Sequence, residues 1–280
     1  MSDNALPDIG AVSTATIDGL NIRYARNGKD YGTPILLTAP WPESIYSFRN
    51  VVPRLAQEHP LIAVDLPGFG RSESRPDVMA PEAMSDFVIK LLAHFDVKEA
   101  HAVAPDVGAL AVLFAAHRKP DLFKSLALGG AAVRTDLAAG ALKDMINSPP
   151  GAFAAIDGAK GVGDYLVAAA KLTPAPIIED FKAASAGRRL EDAVQFVRGY
   201  IPDLPKLEKL LPDIKTPVLI VAGKSDPIVP AANGQFLAER LPHNRYVLLE
   251  AEHRIWEEAA NEYAIELASW IGGGYQSGNW

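Results

Sequence analysis

Six short apolar runs alternate with helical patterns along this chain, and this alternation constrains the fold more than any other feature. The runs lie at residues 35–37, 61–64, 102–104, 126–128, 218–221 and 246–249. Hydrophobicity that is continuous rather than alternating indicates strands buried on both faces of a parallel sheet. Helical patterns accompany the runs, at residues 48–57, 81–95, 108–117, 232–241 and 257–270. We therefore predict an α/β fold built on a mostly parallel, doubly wound sheet.

Two segments depart from this alternation. Residues 14–18 and 20–25 alternate in hydrophobicity around Asp18-Gly19, which predicts an amino-terminal β-hairpin. Residues 132–213 show no clear strand, only helical patterns split by prolines and glycines. We predict a helical cap at residues 132–212, inserted into a core formed by residues 1–131 and 213–280. In open α/β sheets ligands bind outside the carboxyl ends of the strands, so a cap there would shape a pocket.

The composition excludes several classes of function. The 280 residues carry a formal charge of -7 and no basic run, so we expect neither nucleic acid nor a membrane as a partner. The chain has no cysteine, which excludes disulfides, thiol nucleophiles and cysteine-ligated metals. The sequence contains no metal-ligand spacing and no dinucleotide-binding fingerprint, so we expect no metal and no other cofactor.

The sequence also lacks targeting signals. The first eight residues have neither the basic nor the apolar segment of a signal peptide. No apolar run reaches the roughly 18 residues that a membrane span needs. We expect a soluble, cytoplasmic protein, monomeric or homodimeric, that acts on a small-molecule substrate.

The segment Ala104-Pro105-Asp106-Val107-Gly108 has the pattern small–x–nucleophile–x–small. A strand pattern precedes it and a helical pattern follows it, which is the context of a nucleophile elbow. Small flanking residues let the neighbouring backbone approach closely while the central side chain points out of the turn. The central residue is an aspartate, where a hydrolase usually carries serine. The alternative reading of Asp106 is a polar turn residue that tolerates a left-handed backbone.

Two more candidates follow later strand patterns. Asp226 lies in the loop after residues 218–221, and His253 lies in the loop after residues 246–249. His253 is the only one of the six histidines placed just after a carboxy-terminal strand pattern. The order nucleophile, acid, histidine is that of α/β-hydrolases. We therefore interpret Asp106, Asp226 and His253 as a catalytic triad.

The chain resembles α/β-hydrolase-fold proteins of the aspartate-nucleophile branch, which holds epoxide hydrolases and haloalkane dehalogenases. Besides the elbow and the triad order, the resemblance rests on the turn Asp-Leu-Pro-Gly-Phe-Gly-Arg-Ser at residues 65–72. Relatives have His-Gly-x-Pro after the third strand, and this chain has Ala39-Pro40-Trp41-Pro42 there. The resemblance implies that the backbone N–H groups of Trp41 and Val107 form an oxyanion hole.

An aspartate nucleophile suits attack on a saturated carbon. With a free pKa of about 3.9, aspartate is ionised at pH 7 without a base to activate it. Attack on an ester would give a reactive anhydride, whereas attack on an epoxide or a haloalkane gives an ordinary alkyl ester. His253, held in its tautomer by Asp226, would then activate the water that hydrolyses this ester.

The sequence constrains the leaving group of the substrate less than it constrains the nucleophile. Halide-binding relatives often carry a tryptophan after the nucleophile; Val107 offers no such donor, although Trp41 has an indole N–H. Epoxide hydrolases use two cap tyrosines to polarise the ring oxygen and protonate the alkoxide, and the predicted cap contains Tyr165 and Tyr200. The family pattern places the second tyrosine nearer Val197, one helical turn before Tyr200.

These observations favour an epoxide hydrolase. A haloalkane dehalogenase, another hydrolase on the same triad and proton-transfer chemistry with Asp106 as a base remain alternatives. A catalytically silent ligand-binding protein is the alternative of another class. Glu43 and Glu252 lie beside the motifs and are interpreted as solvated loop charges, and His101 as a structural residue.

Overall fold

The structure, a computed structural model, describes residues 6–276. Its sheet begins with the predicted hairpin, in which β1 (Ala11–Ile17) and β2 (Leu20–Gly28) pair antiparallel. Asp18 and Gly19 in the turn have φ angles of 50° and 80°. A two-residue type I′ turn needs the left-handed region at both positions, which aspartate tolerates and glycine adopts freely.

Six further strands complete an eight-stranded sheet of order β1-β2-β4-β3-β5-β6-β7-β8. They are β3 (Ile35–Thr38), β4 (Pro60–Val64), β5 (Ala100–Pro105), β6 (Phe123–Gly129), β7 (Val218–Gly223) and β8 (Asn244–Leu249). β2 pairs antiparallel with β4, and every pair from β4 to β8 is parallel. Every residue of β3, β5 and β7 is buried, as expected for strands covered on both faces. The predicted fold class is confirmed.

Helices connect the strands of this sheet. They are α1 (Val52–Leu55), α2 (Pro81–His94), α3 (Val107–Arg118), α4 (Gly140–Asn147), α5 (Gly158–Gly161), α6 (Gly163–Ala169), α7 (Ala175–Ser185), α8 (Arg189–Arg198), α9 (Tyr200–Leu210), α10 (Ala232–Ala238), α11 (Ile255–Glu258) and α12 (Ala260–Ile271). Short 3₁₀ helices occur at Ile45–Asn50, Pro76–Val78, Pro120–Leu122, Thr135–Leu137, Leu211–Asp213 and Gly274–Gln276. Of the described helices, none is both long and apolar enough to cross a bilayer.

The helix predicted at residues 48–57 is wrong in its extent. A 3₁₀ helix ends at Asn50, and α1 begins separately at Val52. Pro53 lies in the first turn of α1, where its missing N–H costs nothing, whereas further inside a helix it would remove a hydrogen bond. The proline therefore marks the start of a second helix rather than the middle of one.

The segment between β6 and β7 contains helices α4 to α9 and no strand. The predicted cap, residues 132–212, lies within it. Two arginines form hydrogen bonds between this segment and the rest of the chain. Arg23 of β2 donates two hydrogen bonds, of 2.8 and 2.9 Å, to the carboxylate of Asp180 in α7. Arg189 of α8 donates to the backbone carbonyls of Phe69, Gly70 and Ser72, in the loop after β4.

Candidate active site

The predicted elbow is a sharp turn between β5 and α3. Asp106 stands at the turn with φ 53° and ψ -123°, a conformation that residues other than glycine rarely adopt. Its N–H donates to the carbonyl of Gly129 in β6 at 2.7 Å, which fixes the turn against the neighbouring strand. A Cβ atom on Gly108 would lie only 2.0 Å from Oγ1 of Thr38. The close approach of β3 therefore accounts for a small residue two positions after Asp106.

We expect Gly108→Ala to lower the free energy of unfolding by about 1–3 kcal/mol, the usual cost of forcing extra volume into a packed site. Thr38 is the residue to change together with Gly108, because its buried Oγ1 has no hydrogen-bond partner among residues 6–276. Adding Thr38→Ala should recover part of the loss, since the clashing hydroxyl is removed. Urea unfolding of the two single variants and the double variant measures this. Equal stability of Gly108→Ala and the parent protein would contradict the contact.

Backbone donors face the Asp106 carboxylate. The Trp41 N–H donates to Oδ2 at 2.8 Å, and the Val107 N–H also lies close enough to stabilise the charge, although without regular hydrogen-bond geometry. Burial raises the pKa of Asp106, while the charge of His253 and these two N–H groups act against that rise. Of the two groups predicted for the oxyanion hole, the Trp41 N–H lies on Oδ2 of the carboxylate. Oδ1 is the other oxygen.

His253 faces that second oxygen. Its Nε2 lies 3.9 Å from Oδ1 of Asp106, and its Nδ1 lies 2.7 Å from Oδ2 of Asp226. The other oxygen of Asp226 accepts 2.8 Å hydrogen bonds from the N–H groups of Ile228 and Val229, which fixes the carboxylate. With the Nδ1 proton directed at Asp226, the lone pair of a neutral ring is on Nε2, toward Asp106.

Burial disfavours the charged form of His253, but nearby carboxylates outweigh it. The hydrogen bond and charge of Asp226, then the charges of Asp106 and Glu43, raise the pKa of the imidazole above its ordinary value. In the free enzyme the charges of Asp106 and His253 therefore stabilise each other. Loss of the Asp106 charge would lower the pKa of His253 again.

The hydroxyl of Tyr165, in α6, has a hydrogen-bond partner that the sequence did not predict. Its hydroxyl donates to Oε1 of Glu43 at 2.6 Å. Glu43 is completely buried, so its interpretation as a solvated loop charge is wrong. Its carboxylate also accepts hydrogen bonds from Arg254 Nε and Trp256 Nε1, both at 2.8 Å, and from the Ser47 hydroxyl. A buried carboxylate is stable when it is paired and fully hydrogen-bonded in this way.

Tyr200 occupies a different environment. It is 2% exposed and packs against Phe196, with the ring centroids 5.9 Å apart. No described residue forms a hydrogen bond with its hydroxyl. Burial, and then the charge of Asp106, raise the pKa of this phenol well above its ordinary value.

The chain changes helix just before Tyr200, since α8 ends at Arg198 and α9 begins at Tyr200. Gly199 between them keeps helical angles, with φ -59° and ψ -16°. The step from Val197 to Tyr200 is therefore close to one helical turn, as the sequence comparison assumed. Val197 and Tyr200 are both 2% exposed.

An open cleft of about 670 Å³ reaches His253 from outside. Tyr165, Leu172 and Lys171 line it on one side, and Ile228, Glu252 and Arg254 on the other. Glu252 is exposed there, as interpreted from the sequence. The Asp106 side chain is 15% exposed and does not line this cleft. Within residues 6–276, no group of three or more acidic, histidine or cysteine side chains could hold a metal ion.

Comparisons with known proteins agree with this architecture. The family model of the α/β hydrolase fold matches residues 33–162. A pimeloyl-[acyl-carrier protein] methyl ester esterase of Neisseria meningitidis serogroup A is 30% identical over 256 residues, which cover 85% of this chain and 77% of the esterase. A soluble epoxide hydrolase of Corynebacterium sp. strain C12 is 32% identical over 112 residues, 40% of this chain and 38% of that protein.

An uncharacterized hydrolase of Bacillus subtilis is 33% identical over 121 residues, and this chain spans 44% of its length. Two solved structures have the same fold at 21% identity and a TM-score of 0.79. They are a hydrolase from Pseudomonas aeruginosa, with 95% of this chain and all of that one covered, and the epoxide hydrolase CorEH, with 94% and 98% covered. The chain belongs to the α/β-hydrolase fold family, and it is a hydrolase by that membership.

Proposed function

We propose that this hydrolase opens epoxides through a covalent ester on Asp106, without a cofactor. The observation that carries the proposal is the unequal placement of the two carboxylate oxygens. Oδ2 accepts the Trp41 N–H at 2.8 Å, while Oδ1 faces Nε2 of His253 across 3.9 Å. One oxygen is thus held by the backbone, and the other is directed at the space where a substrate would react.

In the first step Oδ1 of Asp106 attacks a ring carbon, and the carbon–oxygen bond of the epoxide breaks. The ring oxygen leaves as an alkoxide, which takes a proton from a phenol in the site. Because the carboxylate is already ionised, no base is needed at this stage. Oδ2 becomes the carbonyl oxygen of the new ester and still faces the Trp41 N–H group.

In the second step His253 takes a proton from water, and the resulting hydroxide attacks the carbonyl carbon of the ester. Charge develops on Oδ2, where the Trp41 N–H already points, so the tetrahedral intermediate is stabilised without rearrangement. Collapse expels the diol with the former Oδ1, and the oxygen of water replaces it on Asp106. Asp226 holds the imidazole and stabilises its charged form.

The chemistry of the nucleophile favours an epoxide over an ester. A carboxylate that attacks an ester forms an anhydride, whereas attack on an epoxide forms an alkyl ester that His253 can hydrolyse. Burial, with a smaller contribution from the charge of Asp106, raises the pKa values of the two phenols Tyr165 and Tyr200, so both keep their protons at neutral pH. A halide needs N–H donors instead of a proton, and Val107 lacks a side-chain donor. The partial match to an epoxide hydrolase supports the same choice.

A single turnover in heavy-oxygen water tests the proposal. With enzyme in excess over styrene oxide, the first diol should contain only light oxygen, and the peptide that carries Asp106 should gain one heavy oxygen. Heavy oxygen in the first diol would instead mean direct attack by water, with Asp106 as a base. Release of bromide from bromoalkanes without diol from epoxides would identify a dehalogenase. No turnover across both panels would favour a binding protein.

The two steps are expected to differ in their dependence on pH. Alkylation needs ionised Asp106, so it should weaken as the pH falls through the raised pKa of that carboxyl. Ester hydrolysis needs neutral His253, so it should weaken as the pH falls through the pKa of the imidazole, which is lower in the ester than in the free enzyme because the Asp106 charge is absent. Rapid quenching and intact-mass analysis measure both rates on the parent enzyme. Alkylation that does not slow at low pH, or ester hydrolysis that does not slow as the pH falls, would contradict these roles.

A further inference from the structure

A second cleft lies at the opposite end of the sheet from Asp106. Its volume is about 540 Å³, and it is bordered by residues that precede or begin β3, β4, β5 and β6, and by the end of α12. His101 is the second residue of β5 and Asp106 directly follows the last, so a rise of about 3.3 Å per residue places their backbones roughly 16 Å apart. The second cleft is therefore separate from the candidate active site.

His101 is a buried polar residue that lines this second cleft. It is 3% exposed, and its Nδ1 lies 2.8 Å from the Ser125 hydroxyl, whereas its Nε2 has no hydrogen-bond partner among residues 6–276. Burial, and then the charges of His59 and Lys124, lower the pKa of this imidazole to about 4, so the ring is neutral at pH 7. When the Ser125 hydroxyl donates to Nδ1, the ring carries its proton on Nε2 and can donate it to a ligand.

Arg54 supplies an uncommitted positive charge to the second cleft. Its guanidinium lines the cleft and forms no hydrogen bond or ion pair with any other described residue. Lys124 lines it as well, but its ammonium donates to Thr33 Oγ1 at 3.0 Å and pairs with Glu99 at 3.1 Å. Glu58 is the only acidic residue among the described lining residues. The charges of the lining therefore favour an anionic ligand, and Arg54 is the cation free to pair with it.

Aromatic and aliphatic side chains form the walls of the second cleft. The rings of Tyr275 and His59 meet that of His101 edge-on, with centroid distances of 5.3 and 5.8 Å, and all three rings line the cleft. Leu55 and Ile271 add aliphatic surface. Within the described part of the chain, the two histidines are not joined by a third side chain that could complete a metal site. Apolar walls with a few polar donors are typical of sites for small organic ligands.

We propose that the second cleft is a further ligand site, which binds a small aromatic carboxylate. Arg54 pairs with the carboxylate, Nε2–H of His101 donates to it, and the aromatic ring of the ligand packs against Tyr275 and Ile271. No covalent step is involved. The proposal does not depend on epoxide opening, because none of these residues belongs to the candidate active site.

Isothermal titration calorimetry with benzoate and 1-naphthoate tests this site. The parent protein should bind both acids at millimolar concentration or below, and 1-naphthoate more tightly, because its larger ring buries more apolar surface. Arg54→Gln should weaken binding about 10-fold or more, as expected for the loss of a charge-assisted pair. Arg188→Gln is the matched control, since Arg188 is exposed just before α8 and should not affect binding.

His101→Phe tests the imidazole donor separately from the shape of the cleft. Phenylalanine keeps a flat ring but has no N–H, so binding should weaken about 3-fold or more, in line with the loss of one hydrogen bond. Thermal unfolding of each variant confirms that the compared proteins are folded. Unchanged affinity in folded His101→Phe protein would remove His101 from the proposed site.

Two further ligands test the chemical class. Benzamide has the shape of benzoate without its charge, and inorganic phosphate has charge without a ring, so each should bind about 10-fold or more weakly than 1-naphthoate. Equally tight binding of either would overturn the assignment of an aromatic acid. Absence of binding by both aromatic acids would overturn the site itself. So would binding that His253→Gln abolishes and Arg54→Gln leaves unchanged, since the acid would then lie in the cleft beside His253.

Discussion

Replacing Asp106 by alanine is expected to reduce turnover of epoxides to the uncatalysed level. Without the carboxylate no ester forms, and the remaining oxyanion donors have no carbonyl to act on. Removal of a covalent nucleophile typically costs about 10⁴-fold or more in kcat. Diol formation measured at saturating epoxide, beside a blank without enzyme, gives this loss.

The control for Asp106→Ala is Asp96→Ala. Asp96 also has a positive φ angle, of 56°, but is exposed and lies after α2, away from the site. Both substitutions place alanine at a positive φ angle, so both carry a conformational cost. Circular dichroism should show folded protein in both cases. Diol formation by Asp106→Ala at more than one-tenth of the parent rate would exclude an aspartyl ester as the main route.

His253→Gln is expected to stop the reaction halfway and leave the ester on Asp106. Attack by Oδ1 does not use the imidazole, so alkylation continues, while a glutamine amide cannot take a proton from water at neutral pH. The kcat should fall by about 10³-fold or more, as for other triad histidines. Intact-mass spectra should show a single addition of one epoxide mass, and peptide mapping should place it on Asp106.

His94→Gln, on the exposed surface of α2, is the control, and it should turn over like the parent enzyme without a lasting adduct. Asp226→Asn should give an intermediate result, because it weakens the hold on the His253 tautomer without removing the base. Full turnover by His253→Gln, or an adduct on another residue, would contradict the assigned order of steps.

The sequence predicts the sheet well because its signals are local. Continuous apolar runs identify the parallel strands, and Asp18-Gly19 predicts a turn whose two positive φ angles the structure contains. The turn at Asp106 can be predicted equally well, because it requires small residues on both sides of the aspartate. Gly108 is one of them, since a Cβ atom there would clash with Thr38. By contrast, hydrophobic periodicity alone predicts a single helix around Pro53, where the structure has two.

The role of Glu43 could not be predicted in this way. Glu43 forms hydrogen bonds with Arg254, Trp256 and Tyr165, which lie far along the chain. These residues come together only when the loop after β3, the segment after β8 and α6 contact one another in the fold. A glutamate between a proline and a serine gives no local sign of burial. The one available signal is an arginine and a tryptophan close to the candidate histidine, which a buried carboxylate would complement.

The arginine contacts of the helical segment between β6 and β7 limit how that segment can move. Arg23 and Asp180 are 12% and 7% exposed, so salt in solution screens their pairing only weakly. Together with Arg189, this pairing opposes lifting of the helical segment away from the loop after β4. The cleft beside Tyr165 and His253 is open to solvent without such a movement. Engineering a broader substrate range should therefore begin with residues along that passage, such as Leu172 and Ile228, and leave the arginine contacts intact.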